Sequence, residues 1–153
     1  MENFRLEAVG IVNNNVMEKV DQGWGEVQSR IVLKPEYTGG LKGLEGFSHV
    51  IIVCWLHEAA YESQSHLQRR PQGRSDMPLT GIFAQRVKDR PNPIGLTTVK
   101  LLAVGSDWLD VRGLDALNGT PVLDIKPYFP DFDRPAEFFT PDWVGKLMQT
   151  YWH

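Results

Sequence analysis

The sequence predicts a mainly β protein: a single small β-barrel-like domain with a few short helices and a C-terminal helix. Three observations carry this. Short runs of alternating or β-branched residues recur from Phe4–Val12 to Val122–Ile125, each bounded by Gly, Pro, Asn or Asp. One of them, Val50-Ile51-Ile52-Val53-Cys54-Trp55-Leu56, is apolar on both faces, as a central strand is. The best helical period comes last, where Val144, Leu147, Met148 and Tyr151 fall at i, i+3, i+4 and i+7. A chain of 153 residues is long enough for one domain with a real core, so residues 1–153 are expected to form one unit.

In order, Phe4–Val12 reads as the first strand and Asn13-Asn14-Asn15 breaks it. Val16–Gly25 is polar, with Gly23 and Gly25 flanking Trp24, and Glu26–Leu33 is the second strand. Pro35–Gly46 carries glycines at 39, 40, 43 and 46 and reads as a short helical turn within loops. After the central strand, Glu58–Pro78 turns polar around Pro71-Gln72-Gly73-Arg74, the expected mobile loop. Gly81-Ile82-Phe83-Ala84 then reads as a buried strand and Thr97–Leu102 as its hairpin partner. Trp108–Arg112 alternates as a further strand after the turn Gly105-Ser106-Asp107. Asn118-Gly119 marks a turn, Val122–Ile125 is the last strand, and Pro127-Tyr128-Phe129-Pro130 ends it. Thr140 is the expected N-cap of the final helix, with Pro141 at its first position and Asp142 complementing its dipole.

The link inside the expected hairpin is stiff. Pro91 and Pro93 fix their own φ angles and push Arg90 and Asn92 out of the α region. Asn92 is thus held extended, and Gly95 supplies freedom before the next strand. A connection of this kind that carries Arg86, Lys88, Arg90 and Asn92 suits a backbone frame for a ligand. The plain alternative is a proline-stiffened turn with solvated charges.

Composition narrows the function classes. Hydrophobic content of 42% and charged content of 23% are ordinary for a soluble globular protein. The net charge of −3 argues against general affinity for nucleic acid, but the window from His66 to Arg90 holds six basic residues against Asp76 and Asp89. Such a local surface, with Arg69, Arg70 and Arg74 at its centre, suits a polyanion; a solvated loop is the alternative. Cys54 is the only cysteine, so no disulfide framework or cysteine-based zinc site arises within one chain. No apolar run approaches the length of a membrane span, and the first residues lack a basic segment followed by an apolar one. A cytoplasmic location is expected. No G-x-G-x-x-G opens a helix, and neither a Walker-type loop nor a G-x-S-x-G elbow occurs. In His57-Glu58-Ala59-Ala60-Tyr61 a tyrosine stands where a zinc-protease motif needs its second histidine, so no metal is expected.

The stretch Gly81-Ile82-Phe83-Ala84-Gln85-Arg86-Val87-Lys88-Asp89-Arg90-Pro91-Asn92-Pro93-Ile94-Gly95-Leu96 resembles the signature G-[VI]-F-A-T-R-S-P-x-R-P-N-P-I-G-L of the TsaA-like family, whose characterised members are the TrmO tRNA methyltransferases. Two further blocks agree in order: Gly46-Phe47-Ser48-His49 with the following apolar strand and His57, and Gly113–Tyr128 with its core Asp115-Ala116-Leu117-Asn118-Gly119-Thr120. Departures are Gln85, Val87, Lys88 and Asp89 within the signature. In addition, Asp21-Gln22-Gly23-Trp24-Gly25 lies where the family commonly has Pro-Arg-Gln. The sequence shows no counterpart to the extra C-terminal domain of the longer bacterial members.

The resemblance implies a small β-barrel methyltransferase that binds S-adenosylmethionine, usually as a homodimer, and methylates N6 of threonylcarbamoyladenosine beside the tRNA anticodon. It implies cofactor contacts at Leu56, His57, Arg86, Leu96, Asp115, Leu117, Asn118, Gly119 and Thr120. Arg86 suits the cofactor carboxylate, and Asp115 or Asn118 suits ribose hydroxyls or the adenine edge. Asp115 is also the candidate general base. On the RNA side the candidates are Arg69, Arg70, Arg74, Arg90 and Asn92, with Tyr128 or Trp24 as a stacking platform. Two alternatives stay open: the same cofactor with another RNA or a small molecule as substrate, and a non-catalytic S-adenosylmethionine- or RNA-binding module.

Overall fold

Val12, Ile31, Val50, Ile52, Leu109, Val111 and Val122 have no measurable solvent exposure, and every one of them occupies an inward strand position. In the computed structural model, which describes residues 2–153, their strands close into a barrel ordered β1-β2-β7-β6-β3-β8. These strands are β1 (Gly10–Asn13), β2 (Gln28–Leu33), β3 (His49–Trp55), β6 (Ile94–Val104), β7 (Trp108–Arg112) and β8 (Pro121–Pro127). A separate two-stranded ribbon pairs β4 (Gln68–Arg69) with β5 (Thr80–Gly81). The helices α1 (Ser63–His66), α2 (Pro130–Asp133) and α3 (Asp142–Met148) are short. Closure leaves the barrel without an open sheet edge along most of its strands.

The both-faces-apolar run is central, as its pattern requires. β3 pairs antiparallel with β6 from His49↔Lys100 to Trp55↔Ile94 and with β8 from Val50↔Pro127 to Cys54↔Val122. Its inward residues Val50, Ile52 and Cys54 enter the core, and Ile51 on the outer face is also nearly covered. Cys54 is a buried thiol that burial first, and the Asp115 charge second, push up to about 12. It remains a neutral packing group at physiological pH.

Three expectations fail. The first strand starts at Gly10, not Phe4, because β8 meets it only at Gly10 and Ile11; Phe4 and Leu6 are exposed. A strand needs a neighbour for its backbone groups, and alternation alone supplies none. The run Gly81-Ile82-Phe83-Ala84 is also not a buried strand. Only Thr80–Gly81 pairs, with β4, and Ile82–Ala84 is a 3-10 turn that buries Ile82 and exposes Phe83. There is therefore no hairpin with β6, whose partner is β3. At the C-terminus α3 begins at Asp142, with Pro141 rather than Thr140 as its N-cap and no side-chain cap bond. Of the predicted stripe, Val144, Leu147 and Met148 form its half-buried face, while Tyr151, also half-buried, follows the end of the helix.

Candidate functional site

β7 ends at Arg112 opposite Lys100, so β6 from Ile94 to Val99 has no strand beside it on that flank. The strand runs on because β3 supports its other flank through the pairs Val50↔Val99 to Trp55↔Ile94. An uncovered stretch of backbone in an otherwise closed barrel is a ready place for a ligand to meet main-chain donors and acceptors.

Several of the sequence-predicted residues collect here. The Arg86 guanidinium donates to the carbonyl of Leu96 at 2.6 Å. Thr97 donates its hydroxyl to Asp115 Oδ1 at 2.5 Å, and the Tyr151 hydroxyl donates to Asp115 Oδ2. Burial, then the Asp115 charge and this hydrogen bond, push the Tyr151 phenol well above its ordinary range, while Arg86 acts on it in the opposite direction. Leu56 closes the other end: its N–H donates to Pro93 O at 2.7 Å, and a Cβ on Gly95 would stand 3.0 Å from its side chain. His57 follows it, exposed at the barrel rim.

The Asp115–Thr120 segment divides into two parts. Asp115 faces Thr97, whereas Asn118, Gly119 and Thr120 form the turn that leads into β8. Asn118 Oδ1 accepts from the Asn14 N–H at 3.0 Å, and the Asn118 N–H donates to Val16 O at 2.8 Å. Gly119 has a φ of 84°, where a side chain would be strained, and its N–H donates to Val12 O. Thr120 is buried and donates to Leu117 O at 2.7 Å. The side chains of Asn118 and Thr120 thus hold the turn.

Three of the four departures in the signature, Gln85, Lys88 and Asp89, make defined contacts. Gln85 is buried, and its amide nitrogen donates to Arg69 O at 2.7 Å and to Thr80 Oγ1 at 2.8 Å, tying the signature to the β4–β5 ribbon. Asp89 accepts from the Ala60 N–H at 3.0 Å and lies 3.7 Å from Arg69, while Lys88 donates to Glu58 O at 3.2 Å. Together they fasten the loop after His57 to the signature. Arg90 folds back on its own loop, donating to Gln85 O at 2.9 Å and Val87 O at 3.3 Å. Asn92 is exposed.

Of the loop arginines, Arg74 makes a two-point pair with Asp76 at 2.9 and 2.7 Å, Arg70 donates to Met77 O, and Arg69 meets Asp89. Tyr128 is half-buried with its ring edge against His49. Trp24 is buried, and its indole donates to Val20 O at 3.0 Å, so it is a packed aromatic rather than a stacking platform. Tyr151 and Thr97 were not among the expected site residues: one lay on a helical stripe and the other in a strand pattern, and neither spacing signals a shared carboxylate. Among the described residues no group of three or more His, Cys, Asp or Glu is arranged to hold a metal ion. No helix of the described residues is long and apolar enough to cross a membrane.

Residues 18–134 match the tRNA-methyltransferase O N-terminal domain family. The chain is 42% identical over 134 residues to a probable S-adenosyl-L-methionine-binding protein of Methanothermobacter thermautotrophicus, an alignment covering 85% of this chain and 93% of the relative. It is 40% identical over 115 residues to the human tRNA (adenine(37)-N6)-methyltransferase, covering 75% of this chain and 25% of that protein. The crystal structure of TrmO from Pseudomonas aeruginosa superposes with a TM-score of 0.72 at 30% identity, over 90% of this chain and 62% of that one. The chain therefore spans under two thirds of the solved TrmO and a quarter of the human enzyme. Barrel, signature and matched residues agree: this chain belongs to the tRNA-methyltransferase O N-terminal domain family.

Proposed function

We propose that the protein binds S-adenosylmethionine at the uncovered flank of β6 and methylates tRNA, at N6 of threonylcarbamoyladenosine in position 37. The observation that carries this is the grouping of Arg86, the Leu96–Thr98 backbone and Asp115 where β7 ends. This donor set fits the cofactor. A guanidinium with four further N–H groups suits its carboxylate, a carboxylate suits its ribose hydroxyls, and unpaired strand backbone suits its polar edges. The names of the relatives, a probable S-adenosyl-L-methionine-binding protein and a tRNA (adenine(37)-N6)-methyltransferase, point the same way.

When bound, the cofactor supplies an electrophilic methyl group on a sulfonium. The residues contribute position. Arg86 and Asp115 orient from two sides, Leu56 with Gly95 closes the apolar end, and the proline-locked loop keeps Arg86 from following the ligand. Alignment of two reactants of this kind is worth about 7–11 kcal/mol of barrier. Asp115, the candidate base, already accepts a hydroxyl at each oxygen, so its first task is to orient. The β4–β5 ribbon with Arg69, Arg70 and Arg74, together with Asn92, forms the side from which an anticodon loop would enter. Tyr128, beside His49 at the start of β3, lies at the opposite end of that strand from Asn92 and does not belong to this side. A homodimer in the cytoplasm completes the reading.

The test is mass spectrometry of tRNA nucleosides from cells with and without the gene, and of tRNA incubated with purified protein and S-adenosylmethionine. The expected result is an N6-methylated threonylcarbamoyladenosine that depends on the protein. Turnover without change in any tRNA nucleoside would point to another substrate, and binding without turnover to a sensing module.

A further inference from the structure

Residues 135–153 lie beyond the stretch that matches the family, yet they return to the site. The N–H groups of Gly23, Trp24 and Gly25, at the start of the 3-10 turn Trp24–Glu26, have no partner within that turn. They donate to the carbonyls of Thr150, Tyr151 and Trp152 at 3.2, 3.0 and 2.8 Å. The approach is close: a Cβ on Gly25 would lie 2.1 Å from Trp152 O. This anchoring sets the Tyr151 phenol on Asp115 Oδ2 while Thr97 holds Oδ1.

A carboxylate held at both oxygens cannot turn about its last torsion without losing a hydrogen bond. Each oxygen nevertheless keeps lone-pair capacity for one more donor. That is the state required of an acceptor for two neighbouring hydroxyls. The phenol stays protonated beside this charge, so it donates throughout the neutral range. Arg86 reaches Leu96 O, and Asp115 with its Tyr151 partner reaches Thr97, the next residue of β6, which places all three side chains in one neighbourhood.

We infer that Tyr151 is a positioning residue of the cofactor site: the C-terminal tail fixes the Asp115 carboxylate so that it accepts from the ribose hydroxyls of S-adenosylmethionine. This rests on the cofactor reading above. Thr97 is the second anchor of the same carboxylate, and the tail is thereby part of the binding site.

The experiment is calorimetric titration of wild type, Tyr151→Phe, Asp115→Asn and the double variant with S-adenosylmethionine and with an analogue lacking the 2′-hydroxyl, each protein shown folded by circular dichroism. Tyr151→Phe is expected to weaken cofactor binding about three- to ten-fold. The double variant should bind no more weakly than Asp115→Asn alone, because the phenol acts through that carboxylate. The preference for the full cofactor over the analogue should shrink in Tyr151→Phe, which a mere packing role would not produce. Should Tyr151→Phe fail to fold, Thr97→Val removes the other anchor and carries the same expectation. Wild-type affinity in the folded variant, or losses that simply add in the double variant, would overturn the inference alone. A folded wild type that binds neither compound would overturn the cofactor reading and this one with it.

Discussion

The Arg86 guanidinium donates to Leu96 O across 2.6 Å, on the flank of β6 that β7 leaves uncovered. One N–H of an exposed side chain is engaged and four remain for an anion. Arg86→Ala should weaken S-adenosylmethionine binding by roughly ten-fold or more, since a hydrogen bond to a charged group is worth about 1.5–3 kcal/mol. Arg86→Lys should not restore it, because an ammonium cannot bridge a strand carbonyl and a carboxylate in the fixed fork of a guanidinium. Calorimetry in chelator-containing buffer reads both, and a change under two-fold for the alanine variant would remove Arg86 from the site.

Arg69, Arg70 and Arg74 surround the β4–β5 ribbon, and each already has a protein partner. Replacing all three with alanine should leave cofactor affinity within about two-fold. RNA affinity should fall, and the slope of its logarithm against log salt should flatten by about 2–3 units if each arginine meets a phosphate. Filter binding over a salt series measures it. An unchanged slope would mean that these pairs are purely internal and that RNA docks elsewhere.

Asp89 links three segments, accepting from Ala60 and facing Lys88 and Arg69. Burial acts to raise its pKa, but the Ala60 N–H and the charges of Lys88 and His66 outweigh it, and the carboxyl lies below its ordinary range. A depressed folded value stabilises the fold above the unfolded pKa of about 4, and the benefit is lost as pH falls through the folded value. Asp89→Asn should therefore cost about 1 kcal/mol at pH 7, a fall of roughly 2–4 °C in Tm. The gap should close below about pH 3, which thermal melts across pH would show. A gap independent of pH would mean that the charge is irrelevant.

Gly25→Ala attacks the tail without touching Asp115. The added methyl would meet Trp152 O, a backbone atom that cannot swing aside as a side-chain tip can. Losing the three tail hydrogen bonds should cost about 2–3 kcal/mol, roughly 5–10 °C in Tm. The amides of Gly23, Trp24 and Gly25 should exchange faster with solvent. Native exchange rates at those amides would show that the tail tolerates the methyl.

Local chemistry was legible wherever pattern and partner coincide. Val50–Leu56 reads as central because its two faces are both apolar, and β3 does pair on both sides. Trp108–Arg112 alternates and is a strand with those bounds, and Asn118-Gly119 is a turn because Gly119 adopts a positive φ. The signature carries Arg86 and Leu96 and a later block carries Asp115; Arg86 meets the Leu96 carbonyl, and Asp115 meets the neighbouring Thr97. Only the tertiary structure decided the rest. Phe4–Ala8 alternates but has no neighbouring strand, and Gly81–Ala84 is apolar but, past Gly81, curls into a 3-10 turn at Ile82–Ala84. Whether a run becomes a strand depends on who lies beside it, and period carries no information about neighbours. In the same way, no spacing could reveal that Tyr151, Thr97 and Asp115 share one carboxylate. Barrel closure and three hydrogen bonds to a glycine-flanked turn bring them together from distant parts of the chain.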